Sequence, residues 1–242
     1  MNLYIYEECS STNDLASNTL FRHSDTIWAE RQWAGRGQRG NKWMSGVGEN
    51  ITFSVVLQPR GVAAAEQFII SQITALALRD TLAQLGIESR VKWTNDIYVG
   101  DMKIAGVLIE NSLQEGRLSR SIIGIGLNIN QELFDPELPN PTSMRVVSGR
   151  RYSREGVLRL LHAHLMERYS QIEENRSLIE QHYHEALYRR DEQHTFQLAG
   201  GELMQATIEG VGAQGELMLR HSTGERKGYL FREVGFVIET RN

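Results

Sequence analysis

Residues 91–93 and 104–110 read as buried strands, and the stretch between them carries Asn95, Asp96 and Lys103, with Lys92 inside the first run. A stable domain seldom holds charges that close to its core unless they meet something there. The most economical partner is an anionic ligand, with or without a divalent cation. The segment therefore marks a candidate active site set among strands. Its alternative is a solvated turn whose Asp–Lys pair contributes little. The neighbouring Trp93 and the apolar run 104–109 argue against full exposure.

The periodicity changes several times around this segment. Residues 2–6 alternate and are β-prone, and Ser10 and Ser11 then offer N-caps for a helix through Leu15, Ala16 and Leu20. Residues 26–30 read as a second strand, and neither period survives in the glycine-rich stretch 32–43. Residues 51–57 form a β-branched run stopped at Pro59. Over 63–85, Phe68, Ile69, Ile73, Leu76 and Leu82 recur at helical spacing, with Gly86 as the stop. Short strands are expected at 91–93, 97–99 and 104–110, the last two joined by a Gly-Asp turn at 100–101. A glycine-containing strand at 121–130 leads into a loop over 131–145 that holds three of the four prolines. Amphipathic helices are expected at 153–169 and 179–187. From Phe196 onward the period returns to two, in four or five short strands with glycine turns, the size class of an SH3-like barrel. The order reads as a mixed α+β domain, a helical connector and a small β-domain.

Charge and composition narrow the function. A net charge of −4 disfavours a general nucleic-acid binder. The single cysteine, Cys9, excludes an intramolecular disulfide and a cysteine-rich metal site. No run approaches the roughly 18 apolar residues of a membrane span, and the start lacks a basic region followed by a long apolar stretch. The expectation is a soluble, cytoplasmic protein with no membrane contact.

The stretch 31–43 concentrates Arg31, Arg36, Arg39 and Lys42 among glycines, with no acid to offset them. Glycines let backbone N–H groups approach an anion, and arginine forks grip carboxylate or phosphate oxygens in pairs. A mobile surface loop with solvated arginines is the alternative. The stretch lacks the lysine-serine ending of a P-loop and the spacing of a dinucleotide fingerprint. Gly124 and Gly126 weaken their strand and suggest close approach by a ligand or another backbone, or else tight packing. The pairs His162/His164 and His182/His184 fall on different helix faces, unlike an i, i+4 metal site. Cys9 reads as a buried, inert thiol, and no serine sits in a nucleophile elbow. Converging cations, one acid and no protein nucleophile suit direct attack of one bound anion on another. Carboxylate activation by ATP is such a reaction, and it asks the enzyme for screening and in-line alignment. An aspartate helps hold Mg2+ on the phosphates.

Five segments, taken together, are similar to the biotin–protein ligase family: Ser11-Thr12-Asn13, Gly35-Arg36-Gly37-Gln38-Arg39-Gly40, Lys92-Trp93-Thr94-Asn95-Asp96, Lys103-Ile104-Ala105-Gly106 and Gly126-Leu127-Asn128-Ile129-Asn130. They stand in the family's order and span most of residues 10–130. The resemblance implies a class II synthetase-like mixed sheet with helices over 1–190 and an SH3-like β-domain over 191–242. It implies that biotin and MgATP give biotinyl-5′-AMP, whose biotinyl group passes to a lysine of a biotin carboxyl carrier domain. By position, Ser11, Thr12, Asn13 and Gln32 would bind the biotin ring, while Arg36, Gly37 and Gln38 belong to a loop over biotin and adenylate. Lys103 would meet the biotin carboxylate and the α-phosphate as the main catalytic cation, seconded by Arg36. Arg39, Trp43, Lys92, Asn95, Asp96 and Asn128 fall on the ATP side, with Asp96 also the candidate Mg2+ ligand.

Two positions depart from that pattern. Thr94 stands where proline is usual, which is expected to loosen the turn slightly. Gln38 stands where arginine is common, so weaker retention of the adenylate is expected. The Ser-Thr-Asn segment begins ten residues in, before which the helix-turn-helix domain of repressor members has no room, so operator binding is not expected. Two alternatives remain: a lipoate or octanoyl ligase or transferase of similar fold, and a non-catalytic biotin-binding module. The run 104–110 is a candidate dimer edge, which leaves monomer and homodimer open.

Overall fold

The computed structural model describes residues 1–237, with Arg39 described in its backbone alone. The first β-prone run forms β1 (Leu3–Cys9), which pairs in parallel with β2 (Thr26–Gln32). The β-branched run becomes β3 (Ile51–Leu57), every residue of it buried. The polar interruption separates β4 (Arg90–Lys92) from β5 (Asp96–Val99), and then come the long strands β6 (Met102–Gln114) and β7 (Arg117–Leu127). They form one seven-stranded sheet in the order β1-β2-β3-β7-β6-β5-β4, antiparallel beyond the first pair.

Helix α1 (Thr12–Ala16) follows β1, and Ser11 takes its N-cap position without a side-chain capping bond. It stops well short of Leu20. Ser17 Oγ donates to Asp14 O and Asn18 Oδ1 accepts from the Leu20 amide, so local side-chain bonds replace the helical ladder. Helix α2 (Phe68–Gln84) starts later than the periodicity suggests, after a separate 3-10 turn at Ala64–Glu66. Gly86 stops it at φ +80°, where a residue without Cβ is unstrained. Helix α3 (Met144–Ser148) begins inside the loop expected over 131–145; the Ser143 hydroxyl accepts from the Val146 amide and supplies its cap. Helices α4 (Arg154–Ser170) and α5 (Arg176–Ala186) complete the set.

The two faces of the sheet are used differently. One carries Phe53, Val55, Ile123 and Ile125, buried with Ile73 and Leu76 of α2 and with Leu161 and Leu165 of α4. The other has only a small apolar cluster of Ala16, Ile27, Val56 and Ile122, leaving the adjoining surface to polar residues and glycines. Strands β8 (Gln193–Leu198), β9 (Leu203–Val211), β10 (Leu217–His221), β11 (Arg226–Tyr229) and β12 (Val234–Phe236) make a second, five-stranded sheet in the order β11-β10-β9-β8-β12. The core is continuous into it through Phe196, Leu217 and Leu219. Trp93 pins the two parts together: it is buried, and its Nε1 donates to Gly215 O at 2.8 Å.

Candidate active site

Strand register builds the floor of a cleft of about 270 Å3. Thr52 of β3 pairs with Gly126 of β7, Gly126 with Gly106 of β6, Gly106 with Asp96 of β5, and Asp96 with Lys92 of β4. Side chains directly opposite one another share a face, so this row runs from a hydroxyl through two bare glycines to an acid and a cation. A parallel row pairs Ser54 with Gly124 and Gly124 with Leu108. The glycines are where other side chains lie down. A Cβ on Gly124 would fall on the Asn13 amide, and one on Gly126 would fall inside the Trp43 indole. A Cβ on Gly106 would come 2.9 Å from Trp43 Cζ3. The close approach expected at Gly124 and Gly126 is therefore made by the chain's own Asn13 and Trp43.

One end of the cleft is lined by neutral side chains. Ser54 Oγ lies 2.6 Å from Asn13 Oδ1 and 2.8 Å from Thr12 Oγ1. The Thr12 amide donates to Gln32 Oε1 at 2.6 Å. Asn13 Nδ2 donates to Glu110 Oε2 at 2.7 Å. Ser11, Thr12 and Asn13 are all buried at the start of α1, and all line the cleft with Gln32.

The other end is charged. Lys103 Nζ lies 2.6 Å from Asp96 Oδ1 and 5.7 Å from the centroid of the Trp43 ring. The Lys92 ammonium sits 5.0 Å from the Tyr98 ring and 5.1 Å from the Phe236 ring, and burial lowers its pKa from the ordinary lysine value. Arg36 lines the cleft but is held by two acids, Asp14 at 2.6 Å and Glu110 at 3.1 Å. Asn95 Nδ2 donates to Val107 O at 2.5 Å. At the turn, the Thr94 hydroxyl lies 3.2 Å from Gln38 Oε1 and 3.1 Å from Asn95 Oδ1.

The sequence-derived residues Gly37, Gln38, Trp43, Lys92, Asn95, Asp96 and Lys103 thus converge on one cleft with Arg36 and the Ser-Thr-Asn segment. Asn128 does not line it; the residue is buried, and its amide donates to Thr142 O at 2.9 Å. The Arg39 side chain lies outside what is described. Sequence reasoning missed Thr52, which read only as core strand, and Phe231, which enters the lining from the small β-domain; it also missed Ser54, which does not line the cleft but bonds Thr12 and Asn13, which do. It also gave no role to Asp14 or Glu110, which hold Arg36. Among the described residues no group of three or more His, Cys, Asp or Glu is placed to hold a metal. A single carboxylate beside cations fits Mg2+ that arrives on ATP phosphates and keeps most of its waters, rather than a protein-built cage. Cys9 is buried, does not line the cleft, and burial raises its thiol pKa, which leaves it a poor nucleophile. Among the described residues no helix is long and apolar enough to cross a membrane.

The chain is 36% identical over 134 residues to the bifunctional ligase/repressor BirA of Escherichia coli, covering 54% of this chain and 41% of that one. It is 35% identical over 161 residues to the biotin–[acetyl-CoA-carboxylase] ligase of Paracoccus denitrificans, covering 62% and 66%. The match spans about half the length, or less, of the ligase/repressors. The fold is that of a biotin protein ligase from Aquifex aeolicus solved with biotin and ATP, with a TM-score of 0.81 over 98% of this chain and 99% of that one, at 24% identity. Residues 7–128, half of the sequence and every cleft-lining residue except Phe231, match the model of the biotin/lipoate A/B protein ligase family, and the chain belongs to that family.

Proposed function

We infer that the chain is an ATP-dependent biotin–protein ligase acting on a biotin carboxyl carrier domain, with residues 1–190 as its catalytic domain and 191–242 as a C-terminal SH3-like domain. The observation that carries this reading is the division of one cleft into a neutral hydrogen-bonding end and a cationic end. A cyclic urea presents N–H donors and one carbonyl acceptor without charge. Ser11, Thr12, Asn13 and Gln32, which line that end, offer neutral partners of both kinds to such a head group. Its carboxylate tail then points toward Lys103.

Two anions must meet there, and the chain's own cations make that meeting feasible. A carboxylate oxygen attacks the α-phosphorus of ATP, a C–O–P link forms, and the Pα–O bond to pyrophosphate breaks with its electron pair leaving on pyrophosphate. Lys103 screens the approach, and Lys92 lies on the departing phosphates' side. Bound Mg2+ supplies charge neutralisation on the phosphates, with Asp96 and Asn95 as its neighbours. In the second step a lysine nitrogen attacks the acyl carbon and the C–O bond to AMP breaks. AMP leaves with that pair, and two of the three ammonium protons pass to water, one before the attack and one after it, while the amide nitrogen keeps the third. Arg36, Gly37 and Gln38 close over the adenylate and keep water from it.

Lipoate chemistry in the same family is the second reading. The polar neutral end suits a ureido ring better than an aliphatic chain, and Cys9 is misplaced for octanoyl transfer. Incubation with labelled biotin, ATP and an apo-carrier domain separates the readings. Label on the carrier is expected. Labelling only with lipoate or octanoate, or biotin binding without transfer, would overturn the proposal.

A further inference from the structure

Beside the cleft lies a second cavity, of about 380 Å3, lined by Gln67, Phe68 and Ser71 of the α2 start, Ile109 and Asn111 of β6, and Gln214 of the small β-domain. Four residues, Gln38, Thr94, Asn95 and Val107, line both cavities. They are also bonded to one another in a chain. Gln38 Oε1 meets the Thr94 hydroxyl at 3.2 Å, that hydroxyl meets Asn95 Oδ1 at 3.1 Å, and Asn95 Nδ2 donates to Val107 O. The wall between the cavities is therefore a string of polar contacts from the glycine-rich loop to β6, in which the Thr94 hydroxyl has two acceptors to choose between. A hydroxyl has one hydrogen to give, so Thr94 can stay bonded to Asn95 when Gln38 swings away with its loop.

The two cavities differ sharply in charge. The cleft presents Arg36, Lys42, Lys92 and Lys103 against Asp96. Among the described residues the second cavity is lined by no charged side chain; it has carboxamides and hydroxyls over apolar walls. Asn111 Oδ1 in it is buried and has no hydrogen-bond partner among the described residues. A polyphosphate belongs on the cationic side. A primary amine on a four-carbon stem is repelled from that side while it is protonated, and it fits neutral acceptors with apolar surface for its methylenes. Low polarity also favours the uncharged amine, which is the form that attacks.

We propose that the second cavity is the approach path of the acceptor's lysine amine, and that the Gln38–Thr94 contact is the gate through which it reaches the acyl adenylate. The proposal rests on the ligase reading. It gives the two departures from the family pattern one shared job, since a proline at 94 would have no hydroxyl to offer Gln38.

The test separates the two chemical steps in the full chain. Ser71→Trp fills the path from α2 without touching the cleft. It is expected to leave biotin-dependent ATP–pyrophosphate exchange within about twofold of native and to slow transfer to an apo-carrier domain at least about tenfold. Thr94→Val keeps the shape and removes the hydroxyl, and it is expected to speed capture of preformed biotinyl adenylate by methylamine. Unchanged transfer in Ser71→Trp, exchange and transfer falling together, or methylamine capture unaltered by Thr94→Val would each overturn the path. Absence of exchange in the native chain would instead refute the ligase reading, and the path with it.

Discussion

Lys103 Nζ and Asp96 Oδ1 lie 2.6 Å apart, with the lysine side chain 33% and the aspartate side chain 17% exposed. The cation assigned to the reacting phosphate and the acid assigned to the metal thus neutralise each other before substrate arrives. On the proposed function, binding of MgATP would exchange one pairing for two: carboxylate to metal, ammonium to phosphate and acyl oxygens. That exchange keeps either charge from being buried alone.

Asp96→Asn removes the acid and leaves Lys103 without its counter-charge. The expected outcome is a higher Mg2+ requirement and a KM for ATP raised by about tenfold, since a charge-assisted contact is lost. Exchange rates across a Mg2+ titration check it. An unchanged Mg2+ midpoint would remove Asp96 from the metal's surroundings.

Glu110 joins Asn13, at the neutral end of the cleft, to Arg36 of the glycine-rich loop. Its carboxylate accepts from Asn13 Nδ2 at 2.7 Å and pairs with Arg36 at 3.1 Å. Glu110→Gln keeps an acceptor for Asn13 and discharges the link to Arg36, while Asp14 still holds the guanidinium at 2.6 Å. The KM for biotin is expected to rise about three- to tenfold, with kcat of exchange changing less, because about 1 kcal/mol of loop closure is lost. A fall in kcat at constant KM would place Arg36 on the reacting atoms instead.

Gly126 is bare because Trp43 lies on it. Gly126→Ala forces the indole off β7 while the strand keeps its pairing with β3 and β6. A shift in tryptophan emission and a loss of exchange activity are expected at nearly native Tm. Native emission and activity would mean that the ring moves aside without cost.

The acid side of the stability profile has an identifiable contribution. His162 is buried against Ser24, and burial lowers its pKa below the ordinary 6.5; His23 is lowered for the same reason, helped by Arg60. The unfolded chain then binds protons first as pH falls through 6.5, so stability declines from that point down toward the folded values. Urea midpoints between about pH 7.5 and 5 should fall in the native protein and fall less in His162→Gln. Equal slopes in the two proteins would remove His162 from the profile.

Much of this was legible in the residues. Strand β3 occupies the run read from its β-branched residues, and the charged segment at 92–103 lies on the cleft floor because its neighbours on both sides are strand. Periodicity does not report register, however. That Thr52, Gly126, Gly106, Asp96 and Lys92 fall in one row depends on pairings between strands far apart in sequence. The part played by Ser54 is invisible for the same reason: one hydroxyl in an apolar run comes to hold Thr12 and Asn13 only when α1 packs across it. Asn128 was assigned by motif, and packing gives its amide to Thr142.

The central claim is that Lys103 serves the joining of a biotin carboxylate to the α-phosphate of ATP. Isotope exchange between pyrophosphate and ATP, measured with and without biotin in the native chain and in Lys103→Gln, tests it most directly. The account predicts exchange only when biotin is present and a loss of about a hundredfold or more in Lys103→Gln, the scale of removing a positioned charge from a developing anion. Exchange that ignores biotin, or a Lys103→Gln variant that keeps the native rate, would contradict it.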